Sequence, residues 1–178
     1  MARRSLALAL TAICMAGTIA RADPVNLGYY SVTATRNFDD LNQHALSIGL
    51  PLRWNAVAGL NPELTITGGV LEQQRDRRGF ISVGLTLEFH PSGARWFADA
   101  GFAPTYVGHA DYAEGERLGA PFQFTTHVEL GRALGKRRIH SIAIRLQHTS
   151  NGGFREPNPG VDMIGIAYHR LLGHRSGA

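Results

Sequence analysis

The chain has 178 residues, carries 18 lysines and arginines against 14 aspartates and glutamates, and contains one cysteine. A chain of this length has room for a single domain with one core or one small barrel. No basic run is interleaved with aromatic residues, so the net charge of +4 does not indicate a nucleic-acid-binding protein.

The first residues are typical of a secretory signal peptide. Two arginines precede an apolar run over residues 6–16, and residues 20–22 read Ala-Arg-Ala, a small-x-small cleavage site. We therefore predict a signal peptide at residues 1–22 and one domain at residues 23–178. The leader holds three of the 18 basic residues and none of the 14 acidic ones, so the remaining domain is nearly neutral. It also holds Cys14, which leaves the domain without a disulfide or a thiolate metal site.

Beyond the leader, apolar residues recur with a period of two. No apolar stretch reaches about 18 residues, which excludes a helical membrane span, whereas β-strands cross a bilayer with about 9 to 11 residues. In the clearest segment the even positions from Leu46 to Trp54 are apolar, and the residues between them are small or polar. Comparable segments begin near residues 64, 81, 96, 122, 142 and 164, and a weaker one covers residues 26–34. The pattern predicts eight strands.

Charged residues at the alternate positions distinguish a soluble sandwich from a membrane barrel. In a sandwich, Arg53, Glu88, Asp99, Glu129 and Arg145 would converge on an apolar core, where unpaired charges are very costly. In a small transmembrane barrel they face a polar lumen and pair there. We therefore predict an all-β fold, an eight-stranded antiparallel transmembrane β-barrel of the bacterial outer membrane.

The connections suggest how this barrel is oriented. The segments after the second, fourth and sixth strands are short, and those after the first, third, fifth and seventh are mostly longer and more polar. This asymmetry is typical of a barrel with both termini in the periplasm and long loops outside the cell. Arg75, Arg77 and Arg78 cluster in the connection after the third strand, where they either contact lipid phosphates or are simply solvated.

A group of residues capable of acyl transfer interrupts the lipid-facing positions of the last two strands. The outward parity of the seventh strand extends to His148 and Ser150, and that of the eighth extends back to Asp162. In a register that pairs His148 with Asp162, their Cβ atoms are about 5 Å apart. A nucleophile, a base and an orienting carboxylate then converge. The backbone amides of Asn151, Gly152 and Gly153 are candidate oxyanion donors.

The same residues resemble a known family. His148 begins the run His-Thr-Ser-Asn-Gly-Gly-Phe, and residues 156–160 read Glu-Pro-Asn-Pro-Gly. This hairpin resembles the last one of the lipid A 3-O-deacylase (PagL) family. The resemblance implies that Ser150 is the nucleophile, His148 the base and Asn151 part of the oxyanion site. It further implies hydrolysis of the acyl ester at position 3 of the lipid A glucosamine in lipopolysaccharide, without a metal or other cofactor.

Asp162 departs from the pattern of that family, which usually has glutamate at this position. Two other functions remain open on the sequence alone: a non-enzymatic small barrel that acts as an adhesin or plug, and a lipid A acyltransferase. A homodimer is also left open.

A metal site is not expected, because His90, His127, His140, His169 and His174 show no ligand spacing.

Overall fold

The computed structural model describes residues 24–53, 60–108 and 118–173, so the predicted signal peptide lies outside the described residues. Within these parts the chain forms eight strands: β1 (Val25–Arg36), β2 (Leu41–Pro51), β3 (Leu60–Gln73), β4 (Asp76–Phe89), β5 (Trp96–Val107), β6 (Phe122–Leu134), β7 (His140–Ser150) and β8 (Val161–Leu172). Each strand pairs antiparallel with its neighbours, and β1 also pairs with β8, which closes the barrel. The predicted fold class is confirmed.

The strands expose and bury alternate side chains. In β7 the odd-numbered residues from Ala143 to Thr149 are buried, and the even-numbered residues from Ile142 to His148 are exposed. Large apolar side chains are exposed on the outer face of other strands as well, for example Leu46, Ile81 and Leu130. An apolar outer surface around a polar lumen is typical of a transmembrane barrel. No helix in the described segments has the length and hydropathy that a helical membrane crossing requires.

An ion-pair network occupies the middle of the lumen. Glu129 is 1% exposed, and its Oε1 accepts a hydrogen bond from Arg145 Nη1 at 2.6 Å. Its Oε2 lies 2.7 Å from Nε2 of His169. The guanidinium of Arg145 also lies 4.0 Å from the centre of the Tyr30 ring. Buried charges need such partners because they have lost their hydration.

Four of the five charged residues that the sequence assigned to the lumen do face it. Glu88, Asp99, Glu129 and Arg145 line the same internal cavity. The prediction for Arg53 was wrong, because β2 ends at Pro51 and the exposed Arg53 follows it. The pairing of β2 with β3 finishes with the hydrogen bond from the Leu52 N–H to the Pro62 carbonyl oxygen at 2.8 Å, so Arg53 lies beyond the last paired residue. Trp54, predicted to continue this strand, lies outside the described residues.

Two of the predicted long loops are tight turns instead. Residues 37–40 join β1 to β2, and residues 74–75 join β3 to β4, because both hairpins continue through polar residues beyond the apolar alternation. Arg77 and Arg78, predicted to lie in a loop, belong to β4. The longer connections, residues 108–121 and 151–160, follow β5 and β7 as predicted.

Candidate active site

His148 and Asp162 lie opposite each other on β7 and β8, on the outer face of the barrel. Nδ1 of His148 is 2.7 Å from Oδ1 of Asp162, and both side chains are about half exposed. A carboxylate only accepts hydrogen bonds, so this contact requires a proton on Nδ1 and leaves the Nε2 lone pair of a neutral imidazole available as a base. The register expected from the sequence is therefore present.

Ser150 is the last residue of β7, one outward position beyond His148. On its other side it is paired with Phe124 of β6. No hydrogen bond joins the Ser150 hydroxyl to the His148 ring, both of which are described. Contacts between a nucleophile and its base are often loose in enzymes without substrate.

Gly160 borders both of these side chains from the end of the connection between β7 and β8. A Cβ built on Gly160 would lie 2.8 Å from Cε1 and 3.4 Å from Nε2 of His148. The same atom would lie 3.6 Å from Cβ of Ser150. Its φ of 60° is in the left-handed region that favours glycine. The Nε2 edge of the imidazole and Ser150 therefore face one small space, which a side chain at position 160 would occupy.

Asn151 organises the connection between β7 and β8 from inside it. The residue is 1% exposed, and its Nδ2 donates to the carbonyl oxygens of Arg155 at 2.7 Å and of Leu118 and Pro157 at 3.3 Å. Its Oδ1 accepts the N–H of Gly153 at 3.0 Å. One amide side chain thus holds this connection against the one between β5 and β6.

These hydrogen bonds narrow the set of candidate oxyanion donors. The N–H of Asn151 donates to Oδ1 of Asn158 at 3.0 Å, and the N–H of Gly153 donates to the side chain of Asn151. Of the three amides predicted from the sequence, only that of Gly152 has no acceptor among the described residues. The other two stabilise the loop in this structure.

Apolar surfaces border the site on the β6 side and along the barrel wall. On the β6 side, Phe124 stacks on Phe102 with ring centres 5.7 Å apart and contacts Phe154 at 5.8 Å. Along the barrel wall, a groove of about 430 Å³ begins at the His148–Asp162 pair. Its apolar lining includes Val128, Leu146 and Ile164. This surface suits a long hydrocarbon chain.

One group of residues in the described parts of the chain has ligand atoms close enough to hold a metal ion, namely Asp99, Glu129 and His169. It faces the lumen and does not include His148, Ser150 or Asp162. Both oxygens of Glu129 already contact Arg145 and His169, so the group acts as an ion-pair network.

Sequence reasoning did not single out Gly160, Asn158 or Arg36 as parts of the site. Gly160 and Asn158 lie in the quoted Pro-Asn-Pro-Gly segment, whose loop conformation only the structure gives. Arg36 is opposite Asp162 because the pairing of β1 with β8 shifts register between Ala34 and Arg36. Hydropathy alternation does not detect an irregularity of this kind.

Comparisons with known proteins identify the family of the chain. The family model "Lipid A 3-O-deacylase (PagL)" matches residues 28–170. The curated Lipid A deacylase PagL of Bordetella bronchiseptica is 36% identical over 77 residues, which cover 43% of this chain and 42% of that relative. The match thus spans less than half the length of the relative.

Solved structures share the fold. The crystal structure of the outer membrane enzyme PagL superposes with a TM-score of 0.65 at 15% identity and covers 83% of this chain and 99% of that one. The N-terminal β-barrel domain of Pseudomonas aeruginosa OprF gives a TM-score of 0.53 at 12% identity, covering 84% and 97%. Because the family model spans most of the barrel, the chain belongs to the lipid A 3-O-deacylase (PagL) family.

Proposed function

We propose that this protein is a serine esterase that hydrolyses the acyl ester at position 3 of the lipid A glucosamine. The observation that carries the proposal is the His148–Asp162 pair on the outer wall of the barrel, with Ser150 one outward position away. Family membership supplies the substrate class, the lipid A part of lipopolysaccharide. The apolar groove beside the pair supports a substrate with long acyl chains.

The first half of the reaction forms an acyl-enzyme. Oγ of Ser150 attacks the ester carbonyl carbon while Nε2 of His148 takes the hydroxyl proton. Asp162 accepts the Nδ1 hydrogen bond, which fixes the ring and stabilises the imidazolium. When the tetrahedral intermediate collapses, His148 returns the proton to the sugar oxygen. The deacylated sugar then leaves with a free hydroxyl at position 3.

The second half releases the acid. A water molecule gives a proton to His148 and attacks the acyl carbonyl, and the bond to Ser150 Oγ breaks as the proton returns to that oxygen. The product is a free 3-hydroxy fatty acid. In both halves the negative charge on the carbonyl oxygen needs a donor, and the N–H of Gly152 is the amide we assign to this role.

Location in the membrane follows from the same surface. The exposed apolar side chains on the strands support a location in a bilayer, and barrels of this type belong to the bacterial outer membrane. The His148–Asp162 pair lies near the end of the barrel opposite to both termini. If the termini are periplasmic, the site faces the outer leaflet, where lipid A resides.

The test is a lipid A assay with matched variants. Purified protein mixed with lipopolysaccharide in neutral detergent should release 3-hydroxy fatty acid, and a chelator should not stop the release. Ser150→Ala and His148→Ala should each lower the rate by at least about 10³-fold. His140→Ala is the control, since His140 is also outward on β7 and contacts Tyr168 of β8 at 2.6 Å, but lies at the other end of the strand.

The assay also separates the proposal from its rivals. A lipid A mass that stays unchanged after incubation with folded protein would indicate a non-enzymatic barrel. A gain in mass would indicate an acyltransferase. An equal loss of rate in His140→Ala and His148→Ala would contradict the assignment of His148 as the base.

A further inference from the structure

A β-bulge in β1 places a cation beside the proposed catalytic pair. In the pairing of β1 with β8, Ala34 is opposite Met163, and Arg36 is opposite Asp162. If the register did not shift, Arg36 would stand opposite Val161, which is 1% exposed and faces the lumen. The register shift at the bulge therefore keeps the arginine on the outer face, an effect that bulges commonly have near functional sites.

Arg36 thus extends a row of polar side chains across three strands. His148 of β7 is opposite Asp162 of β8, and Asp162 is opposite Arg36 of β1. Directly opposed residues on one face of a sheet have Cβ atoms about 5 Å apart. The arginine is therefore close enough to contact a substrate whose ester lies at His148 and Ser150.

The guanidinium of Arg36 is exposed and makes no ion pair or hydrogen bond with another described residue. Two arginines of β4 at this end of the barrel are engaged, whereas Arg75 and Arg155 lie in the connections between strands. Arg77 contacts Glu72 at 3.0 Å, and Arg78 contacts Asp76 at 3.4 Å. Of these three, Arg36 is the one whose charge is available to an anion.

Its position is fixed by the contacts of its neighbours. Nδ2 of Asn37 donates to the carbonyl oxygens of Pro159 at 2.8 Å and Gly160 at 3.1 Å. Oγ1 of Thr35 donates to the carbonyl oxygen of Asp162 at 3.1 Å. The backbone on both sides of Arg36 is thereby tied to the segment that carries Gly160 and Asp162.

The two flanks of the site are therefore chemically different. Phe124 and its aromatic neighbours lie on the β6 side of Ser150, and Arg36 lies on the β1 side of Asp162. An amphipathic substrate with one anionic group is oriented by such an arrangement. Guanidinium groups bind phosphate oxygens with paired, charge-assisted hydrogen bonds.

We propose that Arg36 binds a phosphate group of lipid A and thereby orients the sugar for attack by Ser150. This inference rests on the proposed function and names the part of the substrate that the β1 side of the site recognises. Arg36 would contact the phosphate both in the substrate complex and in the transition state. Loss of this contact should therefore raise KM more than it lowers kcat.

The test compares two substrates, intact lipid A and lipid A from which the phosphates have been removed, in neutral detergent free of phospholipid. Arg36→Ala should lower kcat/KM about tenfold on intact lipid A and leave it within about twofold on the dephosphorylated substrate. Arg36→Lys should recover part of the loss. Arg132→Ala is the matched control, because Arg132 is also outward and exposed but lies near the other end of the barrel, opposite Trp96.

The outcomes are distinguishable. No release by the wild-type protein from either substrate would refute the proposed function itself. With an active wild type, equal losses of Arg36→Ala on both substrates, or an equal loss in Arg132→Ala, would overturn the phosphate assignment. Heat-dependent migration on gels monitors whether each variant still forms the barrel.

Discussion

Nδ1 of His148 and Oδ1 of Asp162 are 2.7 Å apart, although aspartate is one methylene shorter than the glutamate usual in the family. The short side chain is sufficient because the two residues are directly opposed across β7 and β8. The pair therefore needs no displacement of the strands.

Asp162→Asn should leave the barrel intact and lower kcat about 10²-fold. The amide cannot hold the Nδ1 proton as a carboxylate does, and it gives no charge to stabilise the imidazolium. Asp162→Glu keeps the charge and should retain more activity than Asp162→Asn. Fatty-acid release measures both variants, and a fully active Asp162→Asn would mean that another group orients His148.

Gly160→Ala should lower kcat/KM about 10²-fold, because its methyl group would lie 2.8 Å from Cε1 of His148 and separate the ring from Ser150. Gly153→Ala is the matched control. Its φ of 78° imposes a similar backbone strain, but no atom lies within 4 Å of a Cβ there. The comparison uses the same release assay, and equal losses in the two variants would attribute the effect to backbone strain alone.

Asn151→Ala should abolish most of the activity while the strands remain folded. It removes the donor to Arg155 and Leu118 and the acceptor of the Gly153 amide, so the connection holding Gly152 is no longer fixed. Trypsin should then cleave the folded barrel faster after Arg155. If trypsin cleaves the variant no faster than the wild type although the activity is lost, Asn151 contacts the substrate directly instead.

Glu129→Ala should destabilise the barrel by about 3 kcal/mol or more, because it leaves the buried Arg145 without its charge partner. Glu129→Ala combined with Arg145→Met should recover most of that stability. Glu72→Gln, which breaks an exposed pair with Arg77, should change the free energy of unfolding by less than about 1 kcal/mol. Urea unfolding in detergent measures all three, and a neutral Glu129→Ala would mean that the network adds no stability.

The sequence was sufficient for the barrel and for the outward positions of His148, Ser150 and Asp162. Side-chain direction alternates along a regular strand, so hydropathy reveals which residues share a face. The resemblance of the segment starting at His148 to a known hairpin suggested the chemistry that we propose. The same reasoning failed for Arg53 and for the turns at residues 37–40 and 74–75, because polar residues conceal where a strand ends.

The tertiary structure decided what alternation leaves undetermined. The side chain of Asn151 holds its loop, and of the three candidate amides only that of Gly152 has no acceptor among the described residues. The part of Asn151 in an oxyanion site stays a prediction. Gly160 reaches His148 through the path of a loop, and Arg36 reaches the side of Asp162 through a bulge. Loop paths and bulges depend on contacts between residues distant in the chain, so no periodicity in the sequence records them.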